Sequence, residues 1–309
     1  MYGLSSVIRR EHNNGNKKIR VLQLKKKLYS KEESVQKQYG KSKFRIQKAI
    51  NPSFDALSDF VASLPDSKSL PGKTIYSGRN DVSVVEIDGI RLSIKSYNRL
   101  TDVNRLLYGT LRKSKAQRAY EHAFALTNRG IETPMPVAFI DCFKHRILQK
   151  SYFICLYVNY PPLSDFIARP IAESEALFRA LGRFTYRLHL CGVYHNDYNM
   201  GNILVMNSAP DYDFCLIDNN RMHFGKYSRR KSMKSMRRMI LPADRYAIVG
   251  AAYAEASQTS DIGTVSKMLF YRDALALFYR FKQKVKKLRH LLGFKSRHHS
   301  TPESSTGSL

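Results

Sequence analysis

The sequence predicts an α+β fold of two lobes, in which a strand-rich N-terminal lobe is followed by a helix-rich C-terminal lobe. Between residues 73 and 97, short apolar stretches alternate with tight turns, as in an antiparallel meander. From about residue 174 the apolar residues recur at helical spacing instead. The chain has 309 residues, of which 43% are hydrophobic, and this is enough for two lobes that each bury a core.

The N-terminal lobe begins with a short helix over residues 54–64 and continues with three strands. The strands cover residues 74–76, 82–87 and 90–97, and the turns between them lie at residues 78–81 and 88–89. In the third strand Leu92 and Ile94 alternate with Lys95. Because successive side chains point to opposite faces of a strand, Lys95 faces a cleft or solvent rather than the apolar side.

The remaining elements follow from periodicity and from helix-stop signals. Predicted helices cover residues 102–111, 114–129, 174–191, 243–255 and 265–292, and predicted strands cover residues 137–142, 147–158, 203–205 and 214–217. The predicted helix over residues 114–129 is followed by Gly130, and glycine is the residue most often found just after a helix C-terminus. Pro134 prevents the helix from continuing. A polar break at residues 159–162 predicts the hinge between the lobes.

The net charge of +27 is concentrated in three blocks. Residues 1–50 hold 14 Lys/Arg against 3 acids, residues 226–238 hold 7 against none, and residues 271–309 hold 9 against 2, so the blocks supply 11 + 7 + 7 = 25 of the charges. Such blocks meet nucleic acid, anionic membrane or acidic substrates, or are simply solvated tails. We therefore divide the chain into a basic flexible extension (1–50), an N-lobe (51–158), a C-lobe (159–292) and a disordered tail (293–309).

Cysteine usage and hydropathy indicate a reducing, non-secreted setting. The four cysteines lie far apart and form no C-x-x-C pair, which favours free thiols over disulfides or a metal site. The N-terminus lacks the apolar core of a signal peptide, and no window approaches 18 uncharged apolar residues. We expect a cytoplasmic protein that does not span a membrane.

The chemistry is concentrated in the stretch YHNDYNMGNILV, from Tyr194 to Val205. It contains Asp197 and, five residues later, Asn202; an apolar hairpin then ends in Asp218. This is the spacing with which kinase-like phosphotransferases place an acid beside the acceptor hydroxyl and two oxygen ligands around Mg²⁺. The sequence thus predicts ATP and Mg²⁺ as cofactors, with Asp197 catalytic and Asn202 and Asp218 as metal ligands. Taken singly, each of these residues is also common in turns.

Three further features complete the predicted site. Lys95 is the predicted ligand of the α- and β-phosphates, and Glu121, on the helix that follows, is its predicted ion-pair partner. The turn formed by Gly78, Arg79 and Asn80 offers backbone N–H groups and a guanidinium to phosphate, although one glycine is a weak signal. His195 is predicted to pack the catalytic loop rather than to act chemically.

Taken together, these residues resemble the lipopolysaccharide kinases of the Kdo/WaaP type, which share the protein-kinase-like fold. The resemblance covers residues 76–253 and rests on GRN near Gly78, IKSY around Lys95, AYEHAFALTNRGIETPMPVAFI around Glu121, HNDYNMGNILV, and LIDNNRMHFG around Asp218. It implies phosphorylation of a lipopolysaccharide core sugar, Kdo or heptose. Aminoglycoside and choline phosphotransferases and protein kinases share the catalytic loop. Unlike protein kinases, this chain has Asn196 in place of the arginine of H-R-D.

The basic run at residues 226–238 fits an acidic partner. Lys231, Lys234 and Arg238 recur at helical spacing with Met236 and Met239 beside them, which suits an anionic membrane face or a phosphorylated or carboxylated sugar. The alternatives are a small-molecule phosphotransferase of the aminoglycoside type, an atypical protein kinase, or an inactive kinase fold whose basic tails bind nucleic acid. The tails contain no recognised nucleic-acid motif, which disfavours the last of these.

Overall fold

The fold has a sheet-based N-terminal lobe and a helical C-terminal lobe, which confirms the predicted α+β class. The structure, a computed structural model, describes residues 36–38, 44–97, 105, 107–108, 112–206 and 212–291. Residues 1–35 and 39–43 of the predicted extension, the predicted tail 293–309 and most of the predicted helix over residues 102–111 lie outside this part of the chain.

The elements are numbered in chain order. The strands are β1 Gln36–Gln38, β2 Arg45–Ile50, β3 Lys73–Ser77, β4 Asp81–Ile87, β5 Ile90–Ser96, β6 Pro136–Lys144, β7 Ile147–Leu156, β8 Val193–His195, β9 Ile203–Val205, β10 Phe214–Leu216 and β11 Met222–Phe224. The α-helices are α1 Ser58–Ser63, α2 Lys115–Thr127, α3 Ile171–Leu190, α4 Arg229–Ser235, α5 Ala243–Ala256 and α6 Asp261–Leu291. Short 3₁₀ turns precede α1 and follow α4.

A seven-stranded antiparallel sheet forms the N-terminal lobe. Its strand order is β1-β2-β6-β7-β5-β4-β3, and the predicted meander is the β3-β4-β5 half of it. Asp88 and Gly89 both have positive φ angles in the turn between β4 and β5. Two such residues in a two-residue turn match the right-handed twist of the strands, which explains the sharp reversal at this point.

The start of the N-terminal lobe differs from the prediction. Residues 45–50, predicted to belong to the flexible extension, form strand β2, which pairs with β6 from Arg45↔Phe143 to Ile50↔Ala138. The segment RIQKAI has no clear alternation of apolar and polar residues, so local pattern gives no strand signal. Its hydrogen-bonding partner, strand β6, lies about 90 residues further along the chain, so the pairing cannot be predicted from the neighbouring sequence.

The two faces of the sheet pack against different parts of the chain. One face buries Leu92 and Ile94 against the segment that contains α1. The opposite face buries Phe139 and Phe153 against Tyr120 of α2. Lys95 lies on this second face, toward α2 and the C-terminal lobe, as the strand alternation predicts.

The C-terminal lobe packs around the apolar stripe of α3. Leu177, Leu181, Phe184 and Leu188, the predicted stripe, are all buried in one core cluster. Helix α3 approaches α5 closely at Gly182: a Cβ at this position would lie 2.6 Å from the Val249 carbonyl oxygen. Glycine is therefore required here by the helix–helix distance.

The basic run forms a helix, but its methionines do not face outward. Helix α4 continues into the 3₁₀ turn Met236–Arg238, and both Met236 and Met239 are fully buried in the C-lobe core. These side chains anchor the run to the lobe. The methionines are therefore unavailable for contact with a partner, whereas Lys231 and Lys234 of the same run are exposed.

Replacing Gly182 with Ala is expected to destabilise the protein by about 1–3 kcal/mol, because α3 and α5 must separate to admit the methyl group. The free energy of unfolding from urea denaturation measures this. The matched control is Gly263→Ala in the first turn of α6, where a Cβ would meet nothing closer than 3.6 Å. This control is expected to be neutral or slightly stabilising. Equal losses in the two variants would contradict the close-packing argument.

Candidate active site

A cavity of about 320 Å³ lies between the two lobes. Its apolar walls come from β4, β7, β9 and the end of β10, with Val82 and Phe153 on the N-lobe side and Leu204 and Ile217 on the C-lobe side. Polar side chains also line it, and Lys95, Asn202 and Asp218 are among them. An apolar slot with a few convergent polar groups at one end is the usual form of a small-molecule site.

Lys95 and Asp218 connect the lobes across this cavity. The Nζ atom of Lys95 lies 2.7 Å from Oδ1 of Asp218, and both side chains are about three-quarters buried. Burial by itself raises the pKa of the Asp218 carboxyl, but the adjacent Lys95 ammonium more than reverses this, so the pKa lies below its ordinary value. Asp218 is thus an ionised carboxylate inside a largely apolar slot.

His195 holds the catalytic loop in place, as the sequence predicts. Its Nδ1 accepts a hydrogen bond from the Asp197 backbone N–H at 3.0 Å, so its Nε2 carries the proton and donates to the Ile217 carbonyl at 3.2 Å. Burial lowers the pKa of His195, which keeps the ring neutral. The histidine joins the loop to the segment that carries Asp218, and it has no exposed atom for chemistry.

Asn202 and Asp218 present oxygen atoms from neighbouring backbone segments. The side-chain N–H of Asn202 donates to the Asp197 carbonyl at 2.9 Å, which leaves its side-chain oxygen for a ligand. The Asn202 carbonyl in turn accepts from the Ile217 N–H at 3.1 Å. Asp218 itself adopts the left-handed conformation, with φ 58° and ψ 47°. For a residue other than glycine this is an uncommon conformation, typical of functional sites.

Asp197 is held by two arginines that were not predicted as site residues. Arg221 Nη1 lies 3.1 Å from its Oδ2, and Arg238 Nη1 lies 3.1 Å from its Oδ1. Arg221 ends the I-D-x-x-R segment and Arg238 ends the basic run, so both lay within stretches that the sequence analysis singled out. Nothing in the spacing showed that both would converge on Asp197, because Arg238 is 41 residues away from it.

Glu121 does not pair with Lys95. Its carboxylate accepts from Lys113 Nζ at 2.7 and 2.8 Å and from the Gln117 side chain at 3.0 Å. Lys113 immediately precedes Ser114, the N-cap of α2, so its side chain reaches the second turn of the helix. The predicted Lys95–Glu121 ion pair is therefore wrong, and Asp218 takes the place of Glu121 beside Lys95.

The turn at Gly78, Arg79 and Asn80 does not line the cavity. Its Gly78 N–H donates to the Asn80 carbonyl at 3.2 Å and is thus occupied within the turn. The Arg79 charge nevertheless acts on the site through Lys115, the first residue of α2. The pKa of Lys115 is lowered, first by burial and then by the positive charges of Arg221 and Arg79.

The cavity therefore has a strongly cationic end. Lys95, Lys115, Arg79 and Arg221 all contribute positive charge near Asp218. These cations repel one another, and Asp218 is the carboxylate beside them. A bound polyphosphate would offset the repulsion, because its negative charges would lie among the cations.

The residues present fit a divalent cation held jointly with phosphate. In the part of the chain that the structure describes, no group of three His, Cys, Asp or Glu side chains forms a complete metal cage. Mg²⁺ does not need one, because it is usually bound by one or two protein oxygens together with phosphate oxygens and water. The side-chain oxygens of Asn202 and Asp218 provide such a partial ligand set.

Comparison with known proteins places this site in a family. The sequence profile described as "Lipopolysaccharide kinase (Kdo/WaaP) family" matches residues 87–258, which is more than half of the chain. The chain belongs to the lipopolysaccharide kinase (Kdo/WaaP) family. The predicted family resemblance is confirmed, and since the members are kinases, phosphate transfer is the chemistry of the family.

Several solved structures of other proteins are similar to this chain. "WaaP in complex with acyl carrier protein" has 19% sequence identity and a TM-score of 0.50, and the match covers 78% of this chain and 98% of that one. The Rio2 kinase from Chaetomium thermophilum has 16% identity over 91% of this chain and 89% of its own, with a TM-score of 0.42. The Mycobacterium tuberculosis PknI kinase domain has 13% identity over 64% and 94%, with a TM-score of 0.37. No curated protein matches the sequence. The first of these likenesses confirms the kinase-like fold.

Replacing Lys95 with Met in this kinase-family site is expected to raise the pKa of Asp218. The ammonium that offsets burial is removed while the burial remains, so the carboxyl holds its proton to a higher pH than in the parent. NMR titration of ¹³C-labelled aspartate carboxyls measures the shift. The control is Lys113→Met, which removes the partner of Glu121 and leaves the Asp218 titration in place. An unchanged Asp218 pKa in Lys95→Met would contradict the proposed electrostatic role of Lys95.

Proposed function

We propose that this protein is an ATP- and Mg²⁺-dependent kinase that transfers the γ-phosphoryl group to a hydroxyl of an anionic sugar in the lipopolysaccharide core, Kdo or heptose. The observation that supports this most directly is the convergence of Lys95, Asn202 and Asp218 on one interlobe cavity. Asp197 adjoins it through the Asn202 hydrogen bond. Family membership provides the class of acceptor.

In this proposal the nucleotide lies with its base between the apolar walls and its phosphates at the cationic end of the cavity. Lys95 binds α- and β-phosphate oxygens, and Lys115 adds positive charge from the first turn of α2. Asn202 and Asp218 hold Mg²⁺, which neutralises phosphate charge when bound. Phosphoryl transfer depends mainly on position and charge, so these residues need only hold the nucleotide in line with the acceptor.

Asp197 is the proposed catalytic residue on the acceptor side. It accepts the proton of the sugar hydroxyl while the new O–P bond forms and the bond from phosphorus to the ADP oxygen breaks. Arg221 and Arg238 orient its carboxylate, and each arginine side chain remains about one-third exposed. Partly exposed arginine side chains beside the proposed catalytic acid suit a carboxylate or phosphate on the acceptor, because arginine forms strong charge-assisted hydrogen bonds with such groups. We therefore assign both arginines to recognition of an anionic sugar.

The acceptor class sets the proposed location. A lipid-linked core sugar is reached from a membrane surface, so we place the protein at the cytoplasmic face of the inner membrane, as a peripheral protein. Within the described ranges, no helix has the length and apolar character needed to cross a bilayer.

The test of this function is acceptor profiling with γ-labelled ATP and Mg²⁺. We expect label on dephosphorylated lipopolysaccharide core. Asp197→Asn is expected to lower kcat by at least about 10²-fold and to leave ATP binding intact, because general-base catalysis contributes about that much or more. The matched control is Asp165→Asn, an exposed aspartate outside the cavity, which is expected to keep parental activity.

Other labelling patterns would contradict parts of the proposal. Label on protein alone would indicate an atypical protein kinase, and label on aminoglycosides alone would indicate a small-molecule phosphotransferase. Absence of ATP turnover, with salt-dependent RNA or DNA binding that survives Asp197→Asn, would indicate an inactive kinase fold.

Replacing Arg238 with Ala is expected to raise KM for the anionic acceptor by about tenfold, because one charge-assisted contact is worth about 1.5–3 kcal/mol. KM for ATP is expected to change little. Steady-state kinetics with each substrate varied in turn separates the two effects. The control is Lys234→Ala, an exposed cation of α4 that is expected to stay within about twofold of the parent. Equal effects on KM for acceptor and ATP would contradict acceptor recognition by Arg238.

A further inference from the structure

Helix α6 has an apolar stripe that nothing in the described structure covers. Phe270, Leu277, Phe281, Val285 and Leu288 follow one another at intervals of 7, 4, 4 and 3 residues, which places them on a single face. These five side chains, called here the α6 stripe, are between 36% and 67% exposed. Eighteen residues of helix separate the ends of the stripe, so it is about 27 Å long.

The α6 stripe faces away from the body of the protein. Thr264 and Met268 are fully buried, and Tyr279 accepts a hydrogen bond from Arg238 at 2.9 Å. These residues recur at helical spacing on the side of α6 roughly opposite the stripe. The helix therefore already packs on the lobe through one face, and the stripe belongs to its free face.

Positive charge accompanies the stripe. Asp273 is the last acid of α6, and the eighteen residues that follow it contain six Lys or Arg. Arg280, Lys282, Lys284 and Lys287 are exposed. As far as the structure describes the chain, none of these four forms an ion pair.

We propose that α6 is a membrane-docking helix that lays its stripe on the surface of an anionic lipid bilayer. A helix with Phe and Leu on one face, flanked by Lys and Arg, buries the apolar face at the boundary between headgroups and acyl chains. Its cations then lie at the level of the anionic headgroups, where each adds attraction. This surface is separate from the phosphate-transfer cavity, and the inference does not depend on the proposed kinase activity.

Composition and charge favour a bilayer over other occupants. The stripe contains only Phe, Leu and Val, so it offers no polar group with which to read one particular protein surface. A second copy of the chain would bring two clusters of unpaired cations together, and this repulsion opposes self-association. A bilayer satisfies both features, because it accepts any apolar row and supplies the opposite charge.

Docking through α6 would bring the site close to the lipid surface. Arg238 donates to Tyr279 of α6 through Nη2 and contacts Asp197 through Nη1. One arginine and one tyrosine side chain thus separate the docking helix from the catalytic-loop aspartate. A lipid-linked acceptor would reach Asp197 from the surface on which α6 lies.

The test is flotation of the full-length protein with vesicles. Binding to mixed phosphatidylglycerol–phosphatidylcholine vesicles is expected, with far weaker binding to phosphatidylcholine alone. Leu277→Glu/Phe281→Glu is expected to weaken binding to the anionic vesicles by at least about tenfold, because two buried apolar contacts are replaced by charges that the surface repels. Lys284→Gln/Lys287→Gln is expected to weaken it about fivefold per cation removed.

The matched control is Ile262→Glu, an 81% exposed apolar residue on the same helix but outside the stripe. It is expected to keep parental binding, and thermal melting of all variants checks that these surface changes leave the fold intact. An equal loss of vesicle binding in Ile262→Glu would show that added negative charge weakens binding wherever it is placed on α6, and this would overturn the proposal. Undiminished vesicle binding in Leu277→Glu/Phe281→Glu would overturn it too.

Two further outcomes would assign the stripe to another partner and thereby overturn the proposal. One is concentration-dependent self-association that the double glutamate variant abolishes, with no vesicle binding in the parent. The other is stripe-dependent binding to a small acidic protein, titrated in place of vesicles, again without vesicle binding.

Discussion

The ion pair between Lys95 and Asp218 is the interaction on which the arrangement of the site depends. Lys95 comes from β5 of the N-terminal sheet and Asp218 from the segment after β10 of the C-terminal lobe, 123 residues away. A largely buried carboxylate beside apolar walls would otherwise take up a proton, and the ammonium prevents this. The pair therefore maintains the negative charge of Asp218 and joins the two walls of the cavity.

Charge is distributed in two zones around that contact. Next to the cavity, Lys115, Arg79 and Arg221 add their charges to that of Lys95, so this end is more cationic than one strand lysine would make it. On the other side, Arg221 and Arg238 bind the two oxygens of Asp197. Arg221 belongs to both zones, since its charge acts on Lys115 and its side chain contacts Asp197. Such an arrangement suits a reaction in which both substrates are anions, since each zone attracts one of them.

Local sequence patterns were sufficient to predict those elements whose interacting residues are close in sequence. The meander, the α3 stripe, the α2 stop at Gly130 and the catalytic hairpin are all set by periodicity and turn chemistry. Strand β2 and the contact between Arg238 and Asp197 were missed because each depends on a partner that tertiary packing brings near. Glu121 was misassigned for a related reason. The kinase pattern pairs the strand lysine with the helix glutamate, but here Lys113, just before the helix, binds Glu121 instead. The burial of Met236 shows that helical spacing alone does not say which face of a short helix is packed.

The segment after Asp218 lacks the glycine that gives kinase loops of this kind their freedom, and side chains hold it instead. Asn219 donates to Thr133 Oγ1 at 2.6 Å, and its carbonyl contacts His122 Nδ1 at 2.7 Å. Asn220 donates to Asp218 itself. Displacing the segment breaks three bonds, which costs roughly 3 kcal/mol, so a displaced form would be populated at about one per cent or less. A loop held in this way makes a poor on–off switch, because its displaced form is too rare to serve as a resting state.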